Sequence, residues 1–152
     1  MAAPARILVV GMGSIGLRHA RLYAALPETI VEVCESRPEG LEEARRQSPA
    51  VKCWTDYRAA LDSKPDYAVI ATPHQLHAEM TMAALEKKIP VLCEKPLSHD
   101  LAEAEKMVAA SQRHQTPLAV GYCLRFHPGV QRLRKLLSDG AVGSLLFARY
   151  CV

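Results

Sequence analysis

The sequence has no C-x-x-C pair among its five cysteines, no apolar run near the ~20 residues that cross a bilayer, no low-complexity tract and no internal repeat. Each absence excludes something. An odd set of cysteines cannot all pair with one another, so Cys34, Cys53, Cys93, Cys123 and Cys151 read as small hydrophobes of a reducing compartment, not as a disulfide framework. The opening MAAPARILVV has one early Arg and too short an apolar stretch for a signal peptide, which makes the expected location cytoplasmic. Charge of one sign is scarce as well: 19 Lys and Arg against 16 Asp and Glu leave +3, too little and too scattered for nucleic acid as a partner. What is present is ordinary. With 49% hydrophobic and 23% charged residues over 152 positions, the chain is neither disordered nor collagen-like and can bury a real core.

Short apolar runs alternate with amphipathic stretches. Arg6–Val10, Ile30–Cys34, Val51–Trp54, Tyr67–Ala71, Val91–Cys93 and Leu118–Tyr122 read as strands. Between them, helices are predicted over Ser14–Leu26, Pro38–Gln47, Tyr57–Leu61 after an Asp56 cap, Leu76–Lys87, and Leu101–His114 after a Ser98 cap. The first of these has Ile15, Arg18, Leu22 and Leu26 at helical spacing, and the last has Leu101, Ala104, Val108 and Ser111 on one side. Such alternation implies right-handed crossovers and an α/β fold, a doubly wound parallel sheet. After about residue 125 the pattern changes to a helix over Pro128–Ser138, a stop at Asp139-Gly140 and a further strand over Leu145–Val152.

Gly11-Met12-Gly13-Ser14-Ile15-Gly16 is a G-x-G-x-x-G between a predicted strand and a predicted helix, the context in which it binds a dinucleotide pyrophosphate. Glu35 stands 19 residues after Gly16, where an acid accepts hydrogen bonds from the adenosine ribose of NAD and repels the 2′-phosphate of NADP. Arg37 would instead pair with that phosphate, so NAD is favoured and NADP is the other candidate. Thr72-Pro73-His74-Gln75-Leu76-His77 follows the fourth strand. Two histidines three apart can bind metal on a helix, but no carboxylate or cysteine nearby completes a ligand set, and no metal is expected. Glu94-Lys95-Pro96 ends the fifth strand. A lysine there would hydrogen-bond a substrate hydroxyl, although a loop lysine is also commonly just solvated.

Taken together, Gly11-x-Gly13-x-x-Gly16-x-x-His19, Pro65-Asp66, Ala71-Thr72-Pro73 with His77, and Glu94-Lys95-Pro96-Leu97 resemble the Gfo/Idh/MocA family of NAD(P)-dependent oxidoreductases. The resemblance covers essentially the whole chain. It implies a Rossmann domain followed by a larger α/β domain that holds a sugar or polyol, with hydride passing from a hydroxyl-bearing carbon to the nicotinamide. By position, Gly11, Met12, Gly13, Ser14, Ile15 and Gly16 would line the pyrophosphate and Glu35 the ribose. Thr72, Pro73, His74 and His77 would border the nicotinamide, with Glu94 beside the cofactor. Lys95 would touch the nicotinamide and the reacting hydroxyl as the catalytic residue. Tyr122 and Arg125 resemble positions facing the active-site cleft.

The resemblance also implies a boundary, with residues 1–125 as the Rossmann domain and 126–152 as the beginning of a truncated substrate domain. The family's general base is a histidine in a downstream Asp-x-x-x-His segment, beyond residue 152; His114 and His127 lie in the wrong context to replace it. The expectation is therefore the cofactor-binding half of an oxidoreductase acting on CH–OH groups, inactive by itself. The competing reading is a module that senses the dinucleotide without catalysis. The apolar Leu145–Val152 segment is expected to promote self-association.

Overall fold

The four apolar residues Ile7–Val10 explain the centre of the molecule. Ile7, Leu8, Val9 and Val10 are all buried, a pattern that only a strand covered on both faces can satisfy. The computed structural model describes residues 3–47 and 52–149. Its six strands are β1 (Ala5–Val10), β2 (Thr29–Cys34), β3 (Lys52–Trp54), β4 (Tyr67–Ile70), β5 (Val91–Cys93) and β6 (Leu118–Val120). They form one parallel sheet in the order β3-β2-β1-β4-β5-β6. The helices are α1 (Ser14–Ala24), α2 (Pro38–Gln47), α3 (Tyr57–Asp62), α4 (His77–Glu86), α5 (Leu101–His114) and α6 (Pro128–Ser138). Leu8 and Val10 pack with Leu61, Leu85 and Met107 on one face of the sheet, and Ile7 and Val9 with Ala20, Val33 and Leu41 on the other. The predicted doubly wound sheet is therefore the observed one.

Two helices turn a different side inward than their apolar spacing suggests. In α1, Ile15 and Leu22 are exposed, as is Leu26 just beyond its end, whereas Gly16 and Ala20 are buried. The cause is steric: a Cβ on Gly16 would lie 1.7 Å from the Gly11 carbonyl oxygen, so the helix sits on the glycine turn and its small residues face the sheet. In α5, Leu101 and Val108 are exposed and Met107 and Ala110 are buried, because contact with α4 sets the phase. Its cap is Asp100, whose side chain accepts from the Glu103 N–H at 2.9 Å, not Ser98. The expected Asp56 cap of α3 is present, accepting from Ala59 N–H at 2.7 Å.

One buried charge escaped the sequence reading. Glu32 is 2% exposed on β2. Its Oε1 accepts from Arg6 Nε and Nη2 at 2.9 and 2.5 Å, and its Oε2 from the Trp54 indole at 2.6 Å. Arg6 also donates to the Ser63 and Lys64 carbonyls, tying β1 and β2 to the end of α3.

The chain divides into two compact units, Met1–Gly121 and Tyr122–Val152. The second holds a short turn of helix over Cys123–Phe126 and then α6, which starts at Pro128 and gives way at Asp139 to Gly140 at φ +70°. Residues 145–149 are not a strand: no neighbouring strand is present among the described residues to supply the ladder that defines one. Residues 150–152 of that expected strand lie outside the described residues.

Candidate functional site

Every strand of the sheet points its carboxyl end to one edge, and β1 and β4 are neighbours although the chain leaves β1 toward β2. The crevice at that switch point is where a doubly wound sheet takes a ligand. A cleft of about 570 Å³ opens there, walled by the β1–α1 turn, the β2 exit and the β4 exit. Gly11 makes the turn possible. Its N–H continues the ladder onto the Cys34 carbonyl at 2.8 Å while its φ is +89°, a value that side chains disfavour. A Cβ there would also meet Ala71 and Thr72 backbone at 2.8 Å.

Gly11, Gly13, Ser14 and Ile15 line this cleft. Gly13 has nothing within 4 Å of where a Cβ would stand, so its open side is room beside the start of α1. That start has no capping side chain and no acid in its first turn, unlike α3 and α5 with their aspartates. The first-turn N–H groups and the positive helix end are thus available to an anion. Gly16 and Met12 stand behind the wall. Gly16 closes the helix onto the turn, and Met12 buries its side chain in the core and gives its N–H to Glu35. Neither Met12 nor Gly16 lines the cleft itself.

Glu35 closes one end of the cleft and is 8% exposed. Its Oε2 accepts from Met12 N–H at 2.9 Å and from Arg37 Nη2 at 3.0 Å; its Oε1 accepts from Arg37 N–H at 3.0 Å and Nε at 3.2 Å. Burial alone would push this carboxyl up. The hydrogen bonds from Arg37 and Met12 outweigh it and hold the group down at about 2. Arg37 therefore already has a carboxylate partner, and its guanidinium lies on the acid that the sequence set it against. Cys34 also lines the cleft, its thiol pushed up to about 12, chiefly by burial and further by the Asp56 and Glu35 charges. Tyr57, to which no sequence motif points, borders it and donates its hydroxyl to the Met80 carbonyl at 2.7 Å.

A smaller cavity of about 320 Å³ continues past Ile15 and Thr72, bounded by Pro73 and His74 on one side and by Glu94, Lys95 and Pro96 on the other. His74 is exposed and meets His99 edge-on, ring centroids 5.6 Å apart. Lys95 is exposed, and its ammonium makes no ion pair among the described residues. Its backbone is held: Lys95 N–H donates to Glu94 Oε2 at 3.1 Å. Glu94 Oε1 lies 2.9 Å from His19 Nε2 on α1. His77 is 1% exposed, with both ring nitrogens turned to backbone carbonyls, so it lies within the cavity wall instead of presenting a nitrogen to a ligand. Thr72 Oγ1 is buried at the junction of the two cavities without a hydrogen-bond partner among the described residues. Tyr122 and Arg125 belong to the second unit, where both are exposed.

An uncapped helix start over an open glycine, an acid at the end of β2 and a continuous pair of cavities along the carboxyl edge of the sheet define a dinucleotide-binding Rossmann domain. Residues 5–122 match the Gfo/Idh/MocA oxidoreductase family, described as having an NAD-binding Rossmann fold, and the chain belongs to that family. Among curated relatives, inositol 2-dehydrogenase of Corynebacterium glutamicum is 33% identical over 98% of this chain and 45% of its own length. Levoglucosan dehydrogenase of Pseudarthrobacter phenanthrenivorans is 31% identical over 93% of this chain and 39% of its own. The crystal structure of myo-inositol 2-dehydrogenase from Lactobacillus plantarum superposes with a TM-score of 0.86 at 27% identity, over 93% of this chain and 43% of that one. The chain thus spans less than half the length of these relatives.

Proposed function

We propose that the chain binds NAD(H) along the carboxyl edge of its sheet and forms the cofactor half of a dehydrogenase for a sugar or polyol hydroxyl. The observation that carries the first part is the uncapped start of α1 beside the open flank of Gly13, with a single buried carboxylate, Glu35, closing the cleft on one side. These residues fit the group. The α1 N–H groups would hold the pyrophosphate, and Glu35 would accept from the adenosine ribose once Arg37 gives up part of the carboxylate. Thr72, Pro73, His74 and Lys95 would surround the nicotinamide, and the buried Thr72 hydroxyl has no hydrogen-bond partner among the described residues. NAD+ supplies hydride acceptance at its nicotinamide when bound.

Lys95 is the chain's catalytic candidate. Its ammonium would donate to the reacting hydroxyl oxygen and stabilise negative charge as it develops there. The polyol class is supported by relatives named as inositol and levoglucosan dehydrogenases. Residues 126–152 would begin the substrate domain. The buried free cysteines Cys34 and Cys93 suit a reducing compartment and support a cytoplasmic setting; among the described residues no helix is long and apolar enough to cross a membrane. The test is calorimetric titration with NADH. Heat that saturates in the micromolar to millimolar range is expected, and no binding at millimolar NADH overturns the reading.

A further inference from the structure

His77 is the one histidine of the chain's first unit that is fully enclosed, and its surroundings are two backbone carbonyls. Nδ1 lies 2.8 Å from the Pro96 carbonyl oxygen, and Nε2 lies 2.9 Å from the Thr72 carbonyl oxygen. Both neighbours are acceptors, so a hydrogen on either nitrogen makes one bond and hydrogens on both complete the bridge. The two carbonyls belong to segments that are far apart in sequence and face each other across the smaller cavity. One is the exit of β4, at Thr72-Pro73; the other is the turn after β5, at Lys95-Pro96. No backbone ladder joins the segments at that level, because β4 ends at Ile70 and β5 at Cys93, with Glu94 N–H to Ile70 O as the last rung.

We propose that His77 is a positioning residue that fixes the distance between these two walls and thereby holds the nicotinamide end of the cofactor and the Lys95 backbone. The inference rests on the reading of the cleft as an NAD(H) site. It differs from a general packing role because His77 touches only the smaller cavity. The α1 start and Glu35, which would hold the adenosine diphosphate portion, are built from other elements. Losing the bridge should therefore cost affinity for the nicotinamide and leave the rest of the cofactor's binding in place.

The experiment uses the 152-residue chain with two probes, NADH and ADP-ribose, which shares everything but the nicotinamide. The unaltered chain is expected to bind NADH about tenfold more tightly than ADP-ribose. His77→Leu, checked for folding by circular dichroism, is expected to keep ADP-ribose affinity within about twofold and to bring NADH down to the same value. His77→Gln, whose amide restores N–H donors, is expected to recover part of the NADH preference. An equal loss for both probes, or an unchanged preference for NADH, overturns the proposal; so does an unaltered chain that binds both equally. Failure of the unaltered chain to bind ADP-ribose strikes at the cofactor reading itself. Should His77→Leu not fold, the His77 ring N–H signal in the NMR spectrum of the unaltered chain carries the test. It is expected to be protected from water and to shift with NADH but not with ADP-ribose. A signal that is unprotected, or that moves alike with both or with neither, overturns the bridge.

Discussion

The imidazole Nε2 of His19 lies 2.9 Å from Oε1 of Glu94, although 75 residues separate them in sequence. His19 sits on α1 and stacks on Tyr23. Glu94 uses its other oxygen to hold the N–H of Lys95 and packs against Gly121, where a Cβ would come within 2.9 Å of the carboxylate. The contact is thus a strut between the helix whose start faces the larger cleft and the turn that carries the lysine. Replacing Glu94 with Ala removes both bonds at once. Hydrogen exchange at the Lys95 amide is expected to quicken, with exchange in β1 and β4 unchanged; an unaltered Lys95 amide would show that the turn needs no strut.

Gly13 and Gly16 should behave oppositely. Gly13 has φ −75° and empty space where a Cβ would stand, so Gly13→Ala is expected to fold with equal or greater stability, by about 0.4–1 kcal/mol, while losing NADH affinity. At Gly16 the added carbon would meet the Gly11 carbonyl oxygen at 1.7 Å, and Gly16→Ala is expected to cost about 3 kcal/mol or to prevent folding. Thermal melts with NADH titrations on both variants separate the two roles.

Glu35 makes a pH prediction with a definite sign. Its carboxyl is held at about 2 in the folded chain against an ordinary value of 4.5. The unfolded chain therefore takes up the proton first on acidification. The stabilisation is complete above the ordinary value and is lost as pH falls from about 4.5 toward about 2. Glu35→Gln is expected to flatten that part of the acid limb in urea melts at successive pH values; an unchanged limb would show that the carboxylate's bonds contribute nothing.

The same residue governs cofactor choice. Glu35→Ser removes the repulsion of a 2′-phosphate and releases Arg37 from its fork to pair with it. A charge-assisted contact of this kind is worth roughly 1.5–3 kcal/mol, so the NAD-to-NADP affinity ratio is expected to fall by about one to two decades. Titration with both cofactors decides it, and a ratio that does not move excludes Glu35 as the ribose ligand.

Arg6→Ala strands the buried Glu32 carboxylate with the Trp54 indole as its one remaining donor among the described residues. Leaving such a charge uncompensated costs about 3–5 kcal/mol. A urea midpoint close to that of the unaltered chain would mean that solvent reaches Glu32 in its place.

Leu145, Leu146 and Phe147 are exposed at 59, 94 and 80%. Apolar surface of that kind favours association at about 25 cal/mol per Å² covered. A shortened chain ending at Gly143 is expected to scatter light as a smaller species than the full chain, with NADH binding retained; identical scattering would exclude association through this segment.

What the sequence determined by itself is everything encoded in local order. The apolar runs set six strands and the intervening amphipathic stretches the helices, because a parallel sheet needs strands buried on both faces joined by crossovers. The spacing of Gly11, Gly13, Gly16 and Glu35 marked the cleft, since those positions sit at consecutive strand exits. Tertiary structure alone decided the rest. Ile15 and Leu22 face outward because a backbone oxygen 1.7 Å from a Gly16 Cβ dictates the phase of α1, and hydropathy spacing carries no record of that contact. Met12 gives its N–H to Glu35, His19 reaches Glu94, and His77 spans Thr72 and Pro96. Each pair joins segments that become neighbours only when the sheet aligns their strand ends, so the hydrogen bonds that shape the site have no counterpart in the spacing of the residues that make them.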